Sequence, residues 1–229
     1  MINNTIPIIT IDGQSGVGKS TISKILANIL GWHSLNSGII YRILALIVDR
    51  YNVSLDDIQL LTKISENLNF LFKYDININT QKIILNNEED ITVTIKEEKY
   101  ANMASILASY KLIRLSLIRY QHAFLKKPGL IAEGRDMGTV IFPKARNKFF
   151  ITADIKERGN RRLLQLKDKG IDANLDIVVQ DLIARDKRDE QRLVSPLKPD
   201  PDAIIIDTTK LSINDVLQQI LGHVKNMSI

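Results

Sequence analysis

The segment from Gly13 to Thr21 constrains this chain most, because it reads Gly-Gln-Ser-Gly-Val-Gly-Lys-Ser-Thr. It matches the pattern Gly-x-x-x-x-Gly-Lys-Ser/Thr at every fixed position. A β-branched run at residues 6–11 precedes the motif and predicts a buried strand. Apolar residues at helical spacing follow it from Lys19 to Leu30, with Gly31 as a helix stop. A strand, a glycine-rich turn and a helix in this order predict a phosphate-binding loop.

Each part of this loop has a chemical task. The glycines let the backbone turn its N–H groups toward a phosphate, and the N-terminus of the next helix adds free N–H groups. Lys19 supplies positive charge to the β- and γ-phosphates, and the Ser20 hydroxyl can ligate Mg²⁺. A Gly-Lys-Ser sequence also arises by chance, but the flanking strand and helix argue against chance here. The residues predicted to bind a nucleoside triphosphate are Gly13, Gln14, Ser15, Gly16, Val17, Gly18, Lys19, Ser20 and Thr21.

Composition narrows the classes of protein further. Hydrophobic residues make up 45% of the 229 residues and charged residues 25%, which is ordinary for a globular protein and disfavours disorder. The absence of cysteine excludes disulfide frameworks, thiolate metal sites and cysteine nucleophiles. The net charge of +5 fits a nucleic-acid-binding protein, a protein that handles phosphorylated ligands, or simply a basic protein.

Targeting signals are not evident in the sequence. Residues 1–9 lack a basic segment followed by a long apolar one, and no apolar run reaches the length of about 20 residues that spans a bilayer. We therefore expect a cytoplasmic protein without a membrane partner, and a monomer.

Strands and helices alternate along the chain. Short apolar runs, each followed by a segment of helical character, lie at residues 130–133, 148–152 and 203–207. Further helices are predicted at residues 37–51 and 56–67, and Ser212 with Asp215 predicts the cap of a final helix. This order predicts an α/β fold with a mainly parallel sheet covered by helices on both faces.

Residues 70–95 interrupt this alternation. Apolar residues alternate in the pairs Phe70/Phe72, Ile76/Ile78 and Ile83/Leu85, and Asn86-Asn87 is a turn signal. The pattern predicts a small antiparallel insert, although compositional drift toward Asn, Ile and Lys would produce a similar stretch.

Arginines recur in four segments outside the phosphate loop. They are Arg42; Arg135; Arg158, Arg161 and Arg162; and Arg185, Arg188 and Arg192. Any one of these segments is also typical of a solvated helix face with ion pairs. Their occurrence together with a phosphate loop favours a second anionic ligand, because guanidinium groups bind phosphate oxygens in a bidentate manner. Glu133, at the end of an apolar strand, stands where a carboxylate that orients Mg²⁺ is expected.

These segments together resemble the longer form of the bacterial cytidylate kinases, in the nucleoside monophosphate kinase group. The resemblance runs nearly end to end and rests on residues 11–19 (Ile-Asp-Gly-x-Ser-Gly-x-Gly-Lys), 36–42 (Asn-Ser-Gly-x-x-Tyr-Arg), 133–143 (Glu-Gly-Arg-Asp-Met-Gly-Thr-Val-x-Phe-Pro) and 185–192 (Arg-Asp-x-Arg-Asp-x-x-Arg), followed by Pro-Leu-Lys-Pro at 196–199. It implies a P-loop NTPase-type parallel sheet with a small substrate-side insert and a lid. It also implies transfer of the ATP γ-phosphate to CMP or dCMP with Mg²⁺.

The resemblance carries roles to matching positions. The residues implied to read the cytosine edge are Ser105, Arg114 and Asp136, and Asp189 is implied to contact the sugar. The residues implied to surround the acceptor phosphate and the transferred group are Ser37, Arg42, Arg135, Arg185 and Arg192. Of these, Arg135, Arg185 and Arg192 are implied to be catalytic, together with Lys19. The implied lid residues that bind ATP are Arg158, Arg161 and Arg162, and the implied metal ligands, directly or through water, are Ser20 and Glu133.

The resemblance also implies a single kinase domain. Its core would comprise residues 1–37, 101–153 and 203–229, its substrate-binding region residues 38–100 with the insert at about 70–95, and its lid and arginine-bearing helices residues 154–202.

Three residues depart from the family pattern. Asn36 replaces the usual Asp, which removes a charge near the acceptor, and Glu133 replaces Asp, which lengthens the reach to the metal by one methylene. Ser20 stands where Gly is frequent, which makes direct ligation of Mg²⁺ more plausible.

Two alternatives stay open from the residues. Another P-loop kinase with a small acceptor such as AMP, dTMP or shikimate would share the phosphate loop. An RNA-binding ATPase would share the basic charge, but aromatic residues are sparse at 6% and form no stacking platform for single strands, so no nucleic-acid partner is expected.

Overall fold

The computed structural model describes residues 6–75, 80–168 and 170–226. The chain forms two compact units, of which the first comprises residues Met1–Ser37 and Tyr120–Ile229 and the second residues Gly38–Arg119. We call them the core unit and the inserted unit and describe each by itself.

The helices and strands alternate over much of the chain. The strands are β1 (Ile8–Gly13), β2 (His33–Asn36), β3 (Phe70–Asp75), β4 (Thr80–Leu85), β5 (Glu89–Asp90), β6 (Leu130–Gly134), β7 (Asn147–Thr152) and β8 (Ile204–Asp207). The helices are α1 (Lys19–Leu30), α2 (Ser37–Arg50), α3 (Ile58–Glu66), α4 (Glu98–Leu107), α5 (Lys111–His122), α6 (Ile155–Lys167), α7 (Leu175–Gln191) and α8 (Ile213–Asn226). A short 3-10 helix lies at Thr94–Lys96 and a π-helical turn at Met137–Ile141.

A five-stranded sheet in the order β2-β6-β1-β7-β8 forms the centre of the core unit. Every neighbouring pair in it runs parallel. The predicted α/β fold with a mainly parallel sheet is therefore confirmed. Because parallel strands end at the same edge, the segments that follow β1 and β6 emerge side by side, where parallel sheets of this kind bind their ligands.

Apolar side chains on the sheet and on two helices form the main core. Ile9 and Ile11 of β1 are fully buried and belong to one cluster with Leu26 of α1 and Ile220 of α8. Burial of a side chain of this size stabilises the fold by about 1.5–3 kcal/mol. The core therefore holds β1, and the loop that follows it, in a fixed position.

The ends of the elements follow from local chemistry. Strand β1 begins at Ile8 rather than at residue 6 as predicted, because Pro7 has no N–H to donate to a neighbouring strand. Helix α1 ends at Leu30, and Gly31 caps it with a φ of 64°, the left-handed conformation expected of glycine. At the start of α8, the N–H of Asp215 donates to the Ser212 hydroxyl, and the Asp215 carboxylate accepts the N–H of Ser212, as predicted.

The inserted unit contains a separate antiparallel sheet in the order β3-β4-β5. Asn86 and Asn87 both have positive φ and form the turn between β4 and β5. The predicted antiparallel insert is thereby confirmed, while Ile76 and Ile78 of the predicted pattern lie outside the described residues. The roles assigned to residues 38–100 and 154–202 stay predictions.

Within the described ranges, none of the helices combines the length and the apolar character that a membrane crossing requires.

Candidate active site

Backbone conformation shapes the phosphate loop after β1. Gly13, Gly16 and Gly18 have φ values of 146°, 80° and 94°. These values are rare for residues with a side chain, which explains why glycine stands at the three positions. Gly18 is the N-cap of α1 and has no side chain to cap the helix, so no capping side chain competes with an anion for the N–H groups at the start of α1.

Lys19 is a buried cation within this loop. Its Nζ donates to the backbone oxygen of Gly13 at 2.8 Å and to that of Gln14. Burial lowers the pKa of Lys19 well below its usual value, and the positive charges of Arg135 and Arg185 lower it further, against the opposing charge of Glu133. The positive charges of three side chains thus act on one another at this loop, an arrangement that an anionic ligand would stabilise.

Ser20 and Glu133, the predicted metal ligands, are in direct contact. The Ser20 hydroxyl donates to the Glu133 carboxylate at 3.0 Å, and the Asn36 side-chain amide donates to the Ser20 hydroxyl at 3.2 Å. Burial raises the pKa of Glu133 to about 7, although the positive charge of Lys19 opposes this shift. Asn36, which departs from the family pattern, therefore orients Ser20 toward Glu133.

This pair fits Mg²⁺. In the part of the chain that the structure describes, no group of three or more His, Cys, Asp or Glu side chains is placed to hold a metal. One carboxylate and one hydroxyl are, however, the usual protein share of a Mg²⁺ site whose other ligands are substrate phosphates and water.

The turn after β6 carries Arg135 and Asp136, and a carboxylate from β1 holds it. The two oxygens of Asp12 accept the N–H groups of Met137 and Gly138, each at 2.8 Å. Asp12 is buried, as is Asp136. Sequence reasoning assigned no role to Asp12, although the residue belongs to the Ile-Asp-Gly part of the motif.

Arginines from two segments act on Asp189, one of them by direct contact. Arg135 donates through Nε to the Asp189 carboxylate at 2.7 Å. Burial raises the pKa of Asp189, but the charges of Arg135, Arg185 and Arg192 outweigh it, so the pKa lies below the ordinary value. The structure thus brings together four of the predicted acceptor-site residues, and two of their arginines act on Lys19 as well.

The three arginines of α6 have different surroundings. Arg158 is buried, donates to the backbone oxygen of Ser15 in the phosphate loop at 3.2 Å, and forms an ion pair with Asp186 of α7. Arg161 donates to the backbone oxygen of Thr208 at 2.7 Å, and Arg162 to the side chain of Gln165 at 3.1 Å. No pattern in the sequence indicates a role for Asp186, because its partner Arg158 lies 28 positions earlier in the chain.

The remaining predicted residues divide between the units. Ser37 is buried in the core unit, where a Cβ placed on Gly134 would lie 2.6 Å from its hydroxyl. In the inserted unit, Arg42 donates to the backbone oxygen of Ile95 at 2.9 Å and Arg114 to that of Ala108 at 3.1 Å. Ser105 is buried there, and among the described residues its hydroxyl has no hydrogen-bond partner.

Comparison with known proteins gives a consistent result. The family model described as cytidylate kinase matches residues 9–226. The chain is 48% identical over 219 residues to a cytidylate kinase of Shewanella denitrificans, with 96% of each chain covered. It is 47% identical to a cytidylate kinase of Colwellia psychrerythraea, with 94% of each chain covered, and 45% identical to one of Aeromonas hydrophila, with 95% of this chain and 93% of that one covered.

Proposed function

Because the chain belongs to the cytidylate kinase family, we propose that it transfers the γ-phosphate of ATP to CMP or dCMP and releases CDP or dCDP. The observation that carries this proposal is the concentration of positive charge at the phosphate loop, where the charges of the half-buried Arg135 and Arg185 act on the buried Lys19. Such a concentration of positive charge suits a site where phosphate groups of two nucleotides meet.

Catalysis in this proposal is positioning and charge stabilisation. An oxygen of the CMP phosphate attacks the γ-phosphorus, and the bond from that phosphorus to the bridging β–γ oxygen breaks, so that ADP leaves. Lys19, Arg135, Arg185 and Arg192 stabilise the negative charge of the transferred group. No general base is needed, because the attacking atom is a phosphate oxygen.

Ser20 and Glu133 would hold Mg²⁺, which supplies charge neutralisation to the phosphates of ATP. Glu133 must lose its proton to serve as a ligand, and its pKa of about 7 permits this near neutral pH. Asn36 supports this role through its hydrogen bond to Ser20.

Recognition of the cytosine base requires both hydrogen-bond acceptors and hydrogen-bond donors on the protein. We assign the cytosine edge to Ser105, Arg114 and Asp136, because cytosine offers an amino donor to a carboxylate and ring acceptors to a guanidinium and a hydroxyl. The Ser105 hydroxyl, which has no hydrogen-bond partner within the described part of the chain, supports this assignment. Asp189 would bind the sugar, and the acceptor-phosphate residues would be Ser37, Arg42, Arg135, Arg185 and Arg192.

Residues 154–202 would act as a lid that closes over ATP and excludes water. Arg158, Arg161 and Arg162 would contact ATP from this segment. The contact of Arg158 with the loop oxygen of Ser15 supports the first assignment. Arg161 and Arg162 would have to exchange their contacts with Thr208 and Gln165 for the nucleotide.

An acceptor panel with ATP and Mg²⁺ tests the proposal. CMP and dCMP should be phosphorylated with the highest kcat/KM, ahead of UMP, AMP, dTMP and shikimate. Preference for another acceptor would replace the proposed substrate, and RNA-stimulated ATP hydrolysis without acceptor phosphorylation would refute kinase activity altogether.

A variant sharpens the assignment of the base-reading group. Asp136→Asn should raise the KM for CMP and reduce discrimination against UMP, because it replaces one of the two acceptor oxygens that can face the cytosine amino group with a donating N–H₂ group. The KM for ATP should stay unchanged. Unaltered base preference would contradict the role of Asp136.

A further inference from the structure

We propose that Asp12 is a positioning residue for acceptor selection, which holds the Arg135–Asp136 turn in the geometry that reads the base. The inference rests on the proposed function, because it takes Asp136 as the group that contacts cytosine. Asp12 itself would touch neither nucleotide.

The hydrogen bonds of Asp12 are specific to one register of the turn. Its carboxylate accepts two consecutive N–H groups, those of Met137 and Gly138, at 2.8 Å each. These are the first two residues of the π-helical turn, which follows Asp136 directly. A shift of the turn by one residue would leave a buried N–H without an acceptor, which is costly. Asp12 therefore determines where Arg135 and Asp136 lie.

Close packing also restricts this turn, but it does not select a single conformation. A Cβ placed on Gly138 would lie 2.9 Å from the Thr10 hydroxyl, and one placed on Gly134 would lie 2.9 Å from the Met137 Cε. Asp12 and Gly134 are also register partners in neighbouring strands. Packing limits how far the turn can move, whereas the two hydrogen bonds select one conformation within that limit.

Asp12 also connects the two loops of the site. It directly precedes Gly13, the first residue of the phosphate loop, and it lies near Lys19, whose charge acts on it. Arg135 lies on the turn that Asp12 holds, and its positive charge lowers the pKa of Lys19. One side chain on a rigid central strand thus sets the distance between the loop for the donor and the turn for the acceptor.

Asp12→Asn tests this role with little change of volume. Asn keeps one acceptor oxygen and turns an amide N–H₂ toward a backbone N–H. The KM for CMP should rise by about tenfold and the CMP-to-UMP ratio of kcat/KM should fall by a similar factor, as expected from one lost buried hydrogen bond. The KM for ATP should change by less than about twofold, because the phosphate loop keeps its own backbone geometry.

Thr10→Val is the matched control. Thr10 lies two residues before Asp12 and so on the same face of β1. It is fully buried, and among the described residues its hydroxyl has no hydrogen-bond partner. The variant should leave both KM values and the base preference unchanged. Equal rises of the two KM values in Asp12→Asn, or unchanged base preference in the folded variant, would overturn the proposal.

A second variant covers the case in which Asp12→Asn does not fold. Asp12→Glu keeps the charge and both acceptor oxygens but moves them by one methylene. Amide hydrogen exchange should become faster at Met137 and Gly138 and stay slow in β1 and β7. Faster exchange throughout the sheet, or none at the turn, would show that Asp12 does not position this segment.

The exchange measurement separates this inference from the proposed function, because it needs no substrate. If the wild-type protein phosphorylates no CMP, the proposed function fails whatever the exchange shows. If it phosphorylates CMP and the Asp12 variants retain the base preference, only the positioning role fails.

Discussion

Two glycine-flanked loops emerge side by side from the central sheet, and they obtain their shapes in different ways. The phosphate loop after β1 has positive φ at Gly13, Gly16 and Gly18, so its conformation is a property of its own backbone. In the turn after β6, Gly134 and Gly138 are not among the residues with positive φ, and the carboxylate of Asp12 from another strand holds the conformation.

The comparison teaches that glycine has two separate uses in one site. At Gly13 the residue is needed for its backbone angle and also because a Cβ would lie 2.1 Å from the backbone oxygen of Ile151. At Gly134 the residue makes room for neighbouring side chains, with a Cβ 2.6 Å from the Ser37 hydroxyl. Side chains can rotate away, but a backbone oxygen in a central strand cannot.

The largest effect is expected at the phosphate loop. Lys19→Ala should lower kcat/KM for phosphoryl transfer by about a thousandfold or more, because in the proposed function Lys19 stabilises the negative charge of the transferred group. Steady-state kinetics with ATP and CMP measure this, with circular dichroism to confirm folding. Lys24→Ala, on the exposed side of α1, is the control and should retain full activity. Comparable losses in both variants would mean that position 19 has no special role.

Alanine substitutions at Gly13 and Gly134 should distinguish a glycine required by the backbone from one that makes room for neighbouring side chains. Gly13→Ala should lower the free energy of unfolding by about 4 kcal/mol, since strain and a backbone clash combine. Gly134→Ala should cost about 1–2 kcal/mol, because Ser37 and Met137 can adjust. Urea denaturation measures both. Gly222→Ala, in an open position of α8, should instead stabilise by about 0.5–1 kcal/mol. If Gly134→Ala were as damaging as Gly13→Ala, the distinction between the loops would be wrong.

The free energy of unfolding should depend on pH because the turn after β6 is held by the buried carboxylate of Asp12. Burial raises the pKa of Asp12 from 3.8 to about 6, although the N–H groups of Gly138 and Met137 oppose the shift. The folded state therefore binds the proton more tightly than the unfolded chain. This contribution to stability is fully present below pH 3.8 and is lost as the pH rises through about 6.

The expected loss between pH 4 and pH 7 is about 2 kcal/mol. The free energy of unfolding of Asp12→Asn, measured by urea denaturation over the same range, should fall less steeply than that of the wild type by this amount. Parallel pH profiles for the two proteins would show that Asp12 titrates normally in the folded state.

Much of the site was accessible from the sequence because its parts are local or lie at strand ends. The proximity of Ser20 and Glu133 was predictable, since Ser20 follows β1 and Glu133 lies near the end of β6, and the ends of these parallel strands meet at one edge. The contacts of Arg158 with Ser15 and Asp186 were not, because nothing in a helical run of charges distinguishes a buried arginine from a solvated one. The start of β1 was also misplaced, since the prediction counted β-branched residues and gave no weight to Pro7.

The sequence by itself determined the parallel α/β architecture and the phosphate loop, because apolar periodicity and glycine at positions of positive φ act within a few residues. Only the tertiary structure decided which distant side chains meet: Asp12 holds the turn after β6, and Arg135 pairs with Asp189 of α7. Such contacts join residues far apart in the chain. Their partners follow from the packing of the whole core unit, which no local pattern encodes.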